Sequence, residues 1–232
     1  MNTPRCITKA IEVRDFDQIA LQVNNVENVL EIKQGQRESL TIEADPELFL
    51  RIKVAVAKGQ LSIQMGGSWF DKLSGALATS LGRPQIRYVV TMRNLTAVDL
   101  CGLVQARVDN FATERLQVKF GGVGHLQITG LDAQRLDVTV ARPSPCRVEV
   151  SGRAGEQHVS LNGMGEYDAH GLASRKTTVA LRGPGGHAVV WADDELAITV
   201  SGPGRVEYYG HPLVKKRVSP MGLVTHRSAT PA

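Results

Sequence analysis

The chain has 232 residues, of which 42% are apolar, 22% charged and 5% aromatic, and its formal net charge is +4. That leaves ample material for a core, while basic residues scattered everywhere except Lys215-Lys216-Arg217 do not make the clustered, aromatic-lined groove that nucleic acid needs. No run reaches the ~18 apolar residues of a membrane-spanning helix, and Met1 to Lys9 lack the apolar stretch of a secretory signal, so either the protein stays in the cytoplasm or an export segment is missing from this chain.

From Ile7 to Met65 short alternating runs such as Leu40-x-Ile42, Ile52-x-Val54-x-Val56 and Leu61-x-Ile63-x-Met65 predict strands. Gln34-Gly35-Gln36, Asp45-Pro46 and Lys58-Gly59 punctuate them, and Ile52 to Met65 reads as a hairpin or the corner of a coil. Over residues 68–82 the rhythm changes. Ser68 and Asp71 resemble a capping box, Trp69, Leu73, Leu77 and Leu81 recur at close to helical spacing, and Gly82-Arg83-Pro84 ends the run, which predicts a short amphipathic helical insertion packed on the rod. Strand signals resume at Ile86.

Between Leu95 and Gly210 a unit of about 20 residues repeats six times. Leu100, Phe120, Val140, Leu161, Leu181 and Val200 are taken as equivalent, and a second strand starts six positions after each, at Ala106, Leu126, Cys146, Tyr167, His187 and Val206. A period of this size means stacked units, none of which buries its apolar side alone. The fold class expected is all-β, a right-handed parallel β-helix, as one domain over 1–232: irregular strands and coils over 7–65, the insertion over 68–82, regular coils over 86–210, and a C-terminal cap and tail over 211–232. Val98, Val118, Val138, Val159, Val179 and Ile198 then form one inward column. The insertion and the tail are the expected caps for the unpaired backbone at the rod's ends.

The Gly-x-Gly elements that follow the first strand are corners that use positive φ, not phosphate loops, because each leads to another strand and none carries a following Lys-Ser or Lys-Thr. Cys6, Cys101 and Cys146 cannot all pair, and Cys101 and Cys146 fall two rungs apart, roughly 9.6 Å at a strand spacing of ~4.8 Å, too far for a disulfide.

The combination of Phe16-Asp17-Gln18-Ile19, the Gln34-Gly35 turn, Gly59-Gln60-Leu61-x-Ile63, Thr91-Met92-x-Asn94-Leu95, Ser201-Gly202-Pro203-Gly204 and Tyr209-Gly210-His211-Pro212 resembles the bacterial family called "putative auto-transporter adhesin, head GIN domain". The likeness runs from Phe16 to Val224. It implies a right-handed parallel β-helix, usually exported, of unassigned biochemical role. The chain departs from the family pattern at Arg142-Pro143-Ser144-Pro145, where a glycine corner is replaced by a stiffer one.

Chemistry is sought in the outward columns. The one dense polar group is Arg147, Glu149, Asp168 and His170. Asp168 and Glu149 suit a cation or, with His170, acid–base work on a sugar; as structure, Arg147 pairs with Asp168 and Glu149 with His170 across adjacent rungs, and this structural reading is preferred. His187 is placed on the inward column. The other histidines form no zinc-ligand spacing, and no cofactor, metal or catalytic motif is expected. The functional expectation is a non-enzymatic, adhesin-like scaffold that binds protein or carbohydrate at a cell surface or self-associates. The alternatives are a polysaccharide-cleaving enzyme and a cytoplasmic filament former.

Overall fold

The computed structural model describes residues 6–23, 26–65, 85–141 and 145–228, and the expected insertion over 68–82 lies outside them. The strands are β1 (Ile7–Ile11), β2 (Gln18–Gln22), β3 (Glu27–Gln34), β4 (Ser39–Ala44), β5 (Ile52–Ala57), β6 (Gln60–Met65), β7 (Gln85–Met92), β8 (Ala97–Cys101) and β9 (Leu103–Asp109). They continue as β10 (Ala112–Phe120), β11 (Val123–Val140), β12 (Cys146–Asn162), β13 (Glu166–Arg182), β14 (His187–Trp191), β15 (Glu195–Ser201), β16 (Arg205–Tyr209), β17 (Leu213–Val218) and β18 (Leu223–His226). They wind into a β-solenoid of about six turns with coils of about 20 residues. One helical turn, α1 (Pro46–Phe49), stands where the sequence shows only punctuation: Asp45 accepts a hydrogen bond from the Glu47 amide and Pro46 supplies a preset φ at the first turn.

Two stacks carry the rod. One runs β5, β6, β2, β8, β10, β11, β12, β13, β15, β17, and the other β1, β4, β7, β3, β9, β11, β12, β13, β14, β16, β18, with β11 to β13 bending from one face to the next. Pairing is parallel throughout except for β1–β4, β4–β7 and β5–β6 at the N-terminal end. The β5–β6 hairpin turns at Lys58 and Gly59, both at positive φ. The first-strand register is the expected one: Leu100, Phe120, Val140, Leu161, Leu181 and Val200 are successive partners, and the column extends back to Leu21 and Ile63. Val98, Val118, Val138, Val159, Val179 and Ile198 are all buried. Branched aliphatics suit such stacking because each buried side chain contributes about 1.5–3 kcal/mol over exposure. The three cysteines are free.

The second-strand register differs from expectation at two rungs. Val148, not Cys146, pairs with Leu126 and Tyr167, and Ala188, not His187, pairs with Tyr167 and Val206. The corner before Cys146 is two residues longer than its neighbours and the one before His187 one residue longer. Because strand side chains alternate, the one-residue shift turns His187 outward.

The two ends are finished differently. At the N-terminal end Leu48 and Phe49 of α1 pack partly against the core. Lys9, paired with buried Ile42 and so on the core-facing side of β1, lies 4.6 Å from the Phe49 ring centroid. At the C-terminal end Lys216 occupies the position after Ile198 in the inward column, between Val214 and Val218. Stacking one copy on another would bury both lysines against β5 and β18, whose inward residues Ile52, Val54, Val56, Val224 and His226 include no carboxylate. A buried unpaired charge is strongly unfavourable. The Lys9→Val, Lys216→Val double variant is therefore expected to form end-to-end oligomers, seen as a mass increase by light scattering, at concentrations where the unsubstituted protein does not.

Candidate functional site

The outward side of the second stack is a ladder of charges. One column runs Gln105, His125, Arg147, Glu166, His187, Arg205, and the adjacent column Arg107, Gln127, Glu149, Asp168, Val189, Glu207. The longer corners set Arg147 level with His125 and Glu166, and Glu149 level with Gln127 and Asp168. Val190 is buried, and Trp191 stands beside Tyr209.

The four residues singled out in the sequence do lie together, with different partners. Arg147 is the hub: it pairs with Glu149 on its own strand, with Glu166 at 3.3 Å and with Asp168 at 3.6 Å on the next. Glu149 meets His125 of the rung below at 3.2 Å, and His170 Nδ1 lies 2.6 Å from Asp168 Oδ1, so the expected Glu149–His170 pair is replaced by His125–Glu149 and Asp168–His170. The register shift carries His170 past Glu149 into the irregularity between Glu149 and Ser151. His187 continues the ladder, 3.6 Å from Glu166 and 3.5 Å from Glu207, and Glu207 is held by Arg227 at 2.6 Å. The hydrogen bond to Glu149, together with the charges of Glu166 and Asp168, raises the Arg147 pKa despite partial desolvation. Each carboxylate of the cluster thus faces an arginine or a histidine on its own or a neighbouring rung, which is the cross-strand pairing that stabilises sheets. For half-exposed Arg147, substitution by Gln is expected to cost no more than ~1 kcal/mol in urea denaturation.

The acid limb of stability follows from three other carboxylates. Hydrogen bonds from Arg107 and Thr129 hold Asp109 low. Burial would raise Asp137, but hydrogen bonds from Arg135 and Arg115 outweigh it and lower its pKa. The hydrogen bond from Arg227 lowers Glu207 against its desolvation. A carboxyl whose folded pKa lies below its unfolded value contributes fully above the ordinary range near pH ~4 and loses that contribution as pH falls through the folded value. The melting temperature is expected to decline below about pH 4; a melting temperature that rises on acidification from that point contradicts this assignment.

A polar network inside the rod has no counterpart in the sequence reading. Gln157 and, one rung on, Thr177 interrupt an inward column that holds Leu116 and Leu136 before them and Leu196 after. The two hydrogens of the Gln157 amide nitrogen are shared among Ser174 Oγ at 2.6 Å, Thr177 Oγ1 at 3.1 Å and the Trp191 carbonyl at 3.0 Å, and its oxygen accepts from Tyr167 at 3.0 Å. Burial raises the Tyr167 phenol well above its ordinary pKa. Asn28 and Tyr88 form a similar pair at the N-terminal end, 3.3 Å apart. The signal available in the sequence was a glutamine at a position that is leucine one repeat earlier. Cys146, buried, has its thiol pushed up to about 11 by desolvation, so it is not a nucleophile near neutral pH.

These features place the chain among the β-solenoids. The chain belongs to the family described as "Putative auto-transporter adhesin, head GIN domain", which matches residues 15–212. Among solved structures it is similar to a putative adhesin from Bacteroides fragilis, with 21% identity, a TM-score of 0.82, and coverage of 97% of this chain and 98% of that one. It is also similar to a putative adhesin from Parabacteroides distasonis, at 18% identity, TM-score 0.67 and coverage of 96% and 97%. A putative lipid binding protein from the same species has 18% identity, TM-score 0.65 and the same coverages. At these identities the likeness is one of fold. No curated protein matches the chain.

Proposed function

We propose that the protein is a non-enzymatic binding scaffold of the adhesin kind, exported, that presents a rigid rod to a protein or carbohydrate partner at a cell surface. The observation that carries this reading is the use made of the acid–base groups. Arg147, Glu149, Glu166 and Asp168 engage one another across rungs, a pattern that stiffens a flat face and leaves Asp168 and Glu149 tied to cations of the protein itself. Family membership over residues 15–212 supports the same reading.

The test pairs binding with turnover. The protein is immobilised and presented with arrays of acidic and neutral glycans, with and without calcium, and with extracellular matrix proteins, while polysaccharide digests are followed for new chain ends. Saturable binding without turnover is the expected result, with binding unchanged in Arg147→Gln. Polysaccharide cleavage that disappears in Asp168→Ala would overturn the proposal in favour of an enzyme.

A further inference from the structure

Among the described residues the C-terminal end of the rod is an open sheet edge. Among the described residues β17 pairs only with β15, and β18 only with β16, so the outer backbone groups of both strands face away from the rod without a strand partner. All six residues of β17 are exposed, Leu213 at 78%, and Met221 and Leu223 beside it are exposed too. Edges of this kind are normally shortened, covered or charged. Here the covering is absent among the described residues and the charge is of one sign.

The distribution of charge over the chain is uneven. It has 27 basic and 23 acidic residues; four of the basic ones, Lys215, Lys216, Arg217 and Arg227, and none of the acidic ones follow Gly210. Residues 1–210 are therefore balanced at 23 of each, and the whole net charge of +4 belongs to the terminal segment. Arg227 is neutralised by Glu207, whereas Lys215, Lys216 and Arg217 form no ion pair with a described carboxylate.

Resting on the reading of the protein as a binding scaffold, we propose that β17 is a docking edge for an extended segment of a partner protein that carries an acidic residue between two apolar ones on its inward side. A strand added to β17 continues the stack, and its alternate side chains fall on Val214, Lys216 and Val218. Two apolar residues match the valines, and a carboxylate between them supplies Lys216 with the counter-charge missing from the rod. Main-chain hydrogen bonds give such a complex its affinity and the alternate side chains its selectivity. A second copy does not fit, because the inward positions of β1, β5, β17 and β18 offer no carboxylate. The free backbone edge favours a strand over a lipid surface, which has no ladder of donors and acceptors to offer.

The experiment titrates isotopically labelled protein with two synthetic peptides, TVTETVT and TVTKTVT, at about 50 mM salt, where exposed charges are weakly screened. The acidic peptide is expected to shift the amides of Leu213 to Val218 and to bind about tenfold more tightly than the basic one, the gap between opposite and like charges on facing strands. Lys216→Glu, at an exposed position, should invert the order while leaving the melting temperature unchanged. Equal binding of both peptides, no binding of either, or shifts confined to other strands overturns the docking edge. Retention on phosphatidylserine vesicles that is lost when Lys215, Lys216 and Arg217 are all replaced by Gln, with both peptides inert, overturns it in favour of an anionic membrane. If the glycan or matrix ligand found for the whole protein binds the Lys216→Glu variant as well as the unsubstituted protein and both peptides fail, the docking edge falls and the scaffold reading stands; polysaccharide cleavage lost in Asp168→Ala removes the scaffold reading itself.

Discussion

Gly124→Ala is expected to destabilise the protein by ~3 kcal/mol or more, lowering the melting temperature by roughly 10 °C, whereas Gly121→Ala in the same corner stays within about 0.5 kcal/mol. The difference comes from what the new methyl group meets. At Gly124 the backbone has φ +134°, and a Cβ would lie 1.9 Å from the Val104 carbonyl oxygen and 2.9 Å from its carbon, both backbone atoms of the next rung. Neither atom can swing aside, because β9 and β11 are held in parallel register from Leu103 to Asp109. At Gly121 the nearest atom is the Leu100 oxygen at 3.9 Å, an ordinary contact, and φ is not in the region restricted to glycine. Forcing the rungs apart at Gly124 loosens the interface on which each neighbour depends for burial. Urea denaturation of the two variants checks the prediction, and a Gly124→Ala protein as stable as Gly121→Ala would contradict it.

The same corners explain which parts of the architecture could be read from the residues alone. The first strand of each coil carries Val or Ile and, two residues on, Leu, Phe or Val at near-constant intervals, so its column from Leu100 to Val200 needs no structure to be drawn. The second strand follows corners of unequal length. A period-two pattern cannot register two extra residues, because Cys146 and Val148 are both apolar and either satisfies the alternation. Asp168 came near Arg147 and Glu149 despite the wrong alignment, since a two-residue slip keeps a side chain on the same face. His187 suffered a one-residue slip and moved from the core to the surface. The N-terminal coils were illegible for another reason. β2 is sandwiched between β6 and β8, and β3 between β7 and β9, so neighbours in space are separated by tens of residues and share no repeat. The ladder's wider extent, through His125, Glu166, His187 and Glu207, followed only once the second-strand register was set.

Gln157→Leu is expected to destabilise the protein by ~2–3 kcal/mol even though it restores leucine to a column that holds leucine at 116, 136 and 196. By area alone the substitution is favourable, since a buried leucine is worth about 1.5–3 kcal/mol over exposure. The hydrogen bonds decide the sign. Gln157 is fully buried, and its oxygen is the acceptor for the hydroxyl of Tyr167, itself fully buried. Ser174 Oγ and Thr177 Oγ1 lie 2.8 Å from each other and 2.6 and 3.1 Å from the Trp191 carbonyl, so they keep partners when the amide is removed. Tyr167 does not. An orphaned buried hydroxyl bears the full desolvation cost, whereas removing both members of a pair is close to neutral. The double variant Gln157→Leu, Tyr167→Phe is therefore expected to recover most of what the single change loses, with a coupling of about 1–2 kcal/mol in a double-mutant cycle. Additive losses in that cycle would mean that Tyr167 finds another acceptor when the amide is gone. The recovery expected here would instead show that the loss in Gln157→Leu comes from the unpaired Tyr167 hydroxyl and not from the fit of the leucine.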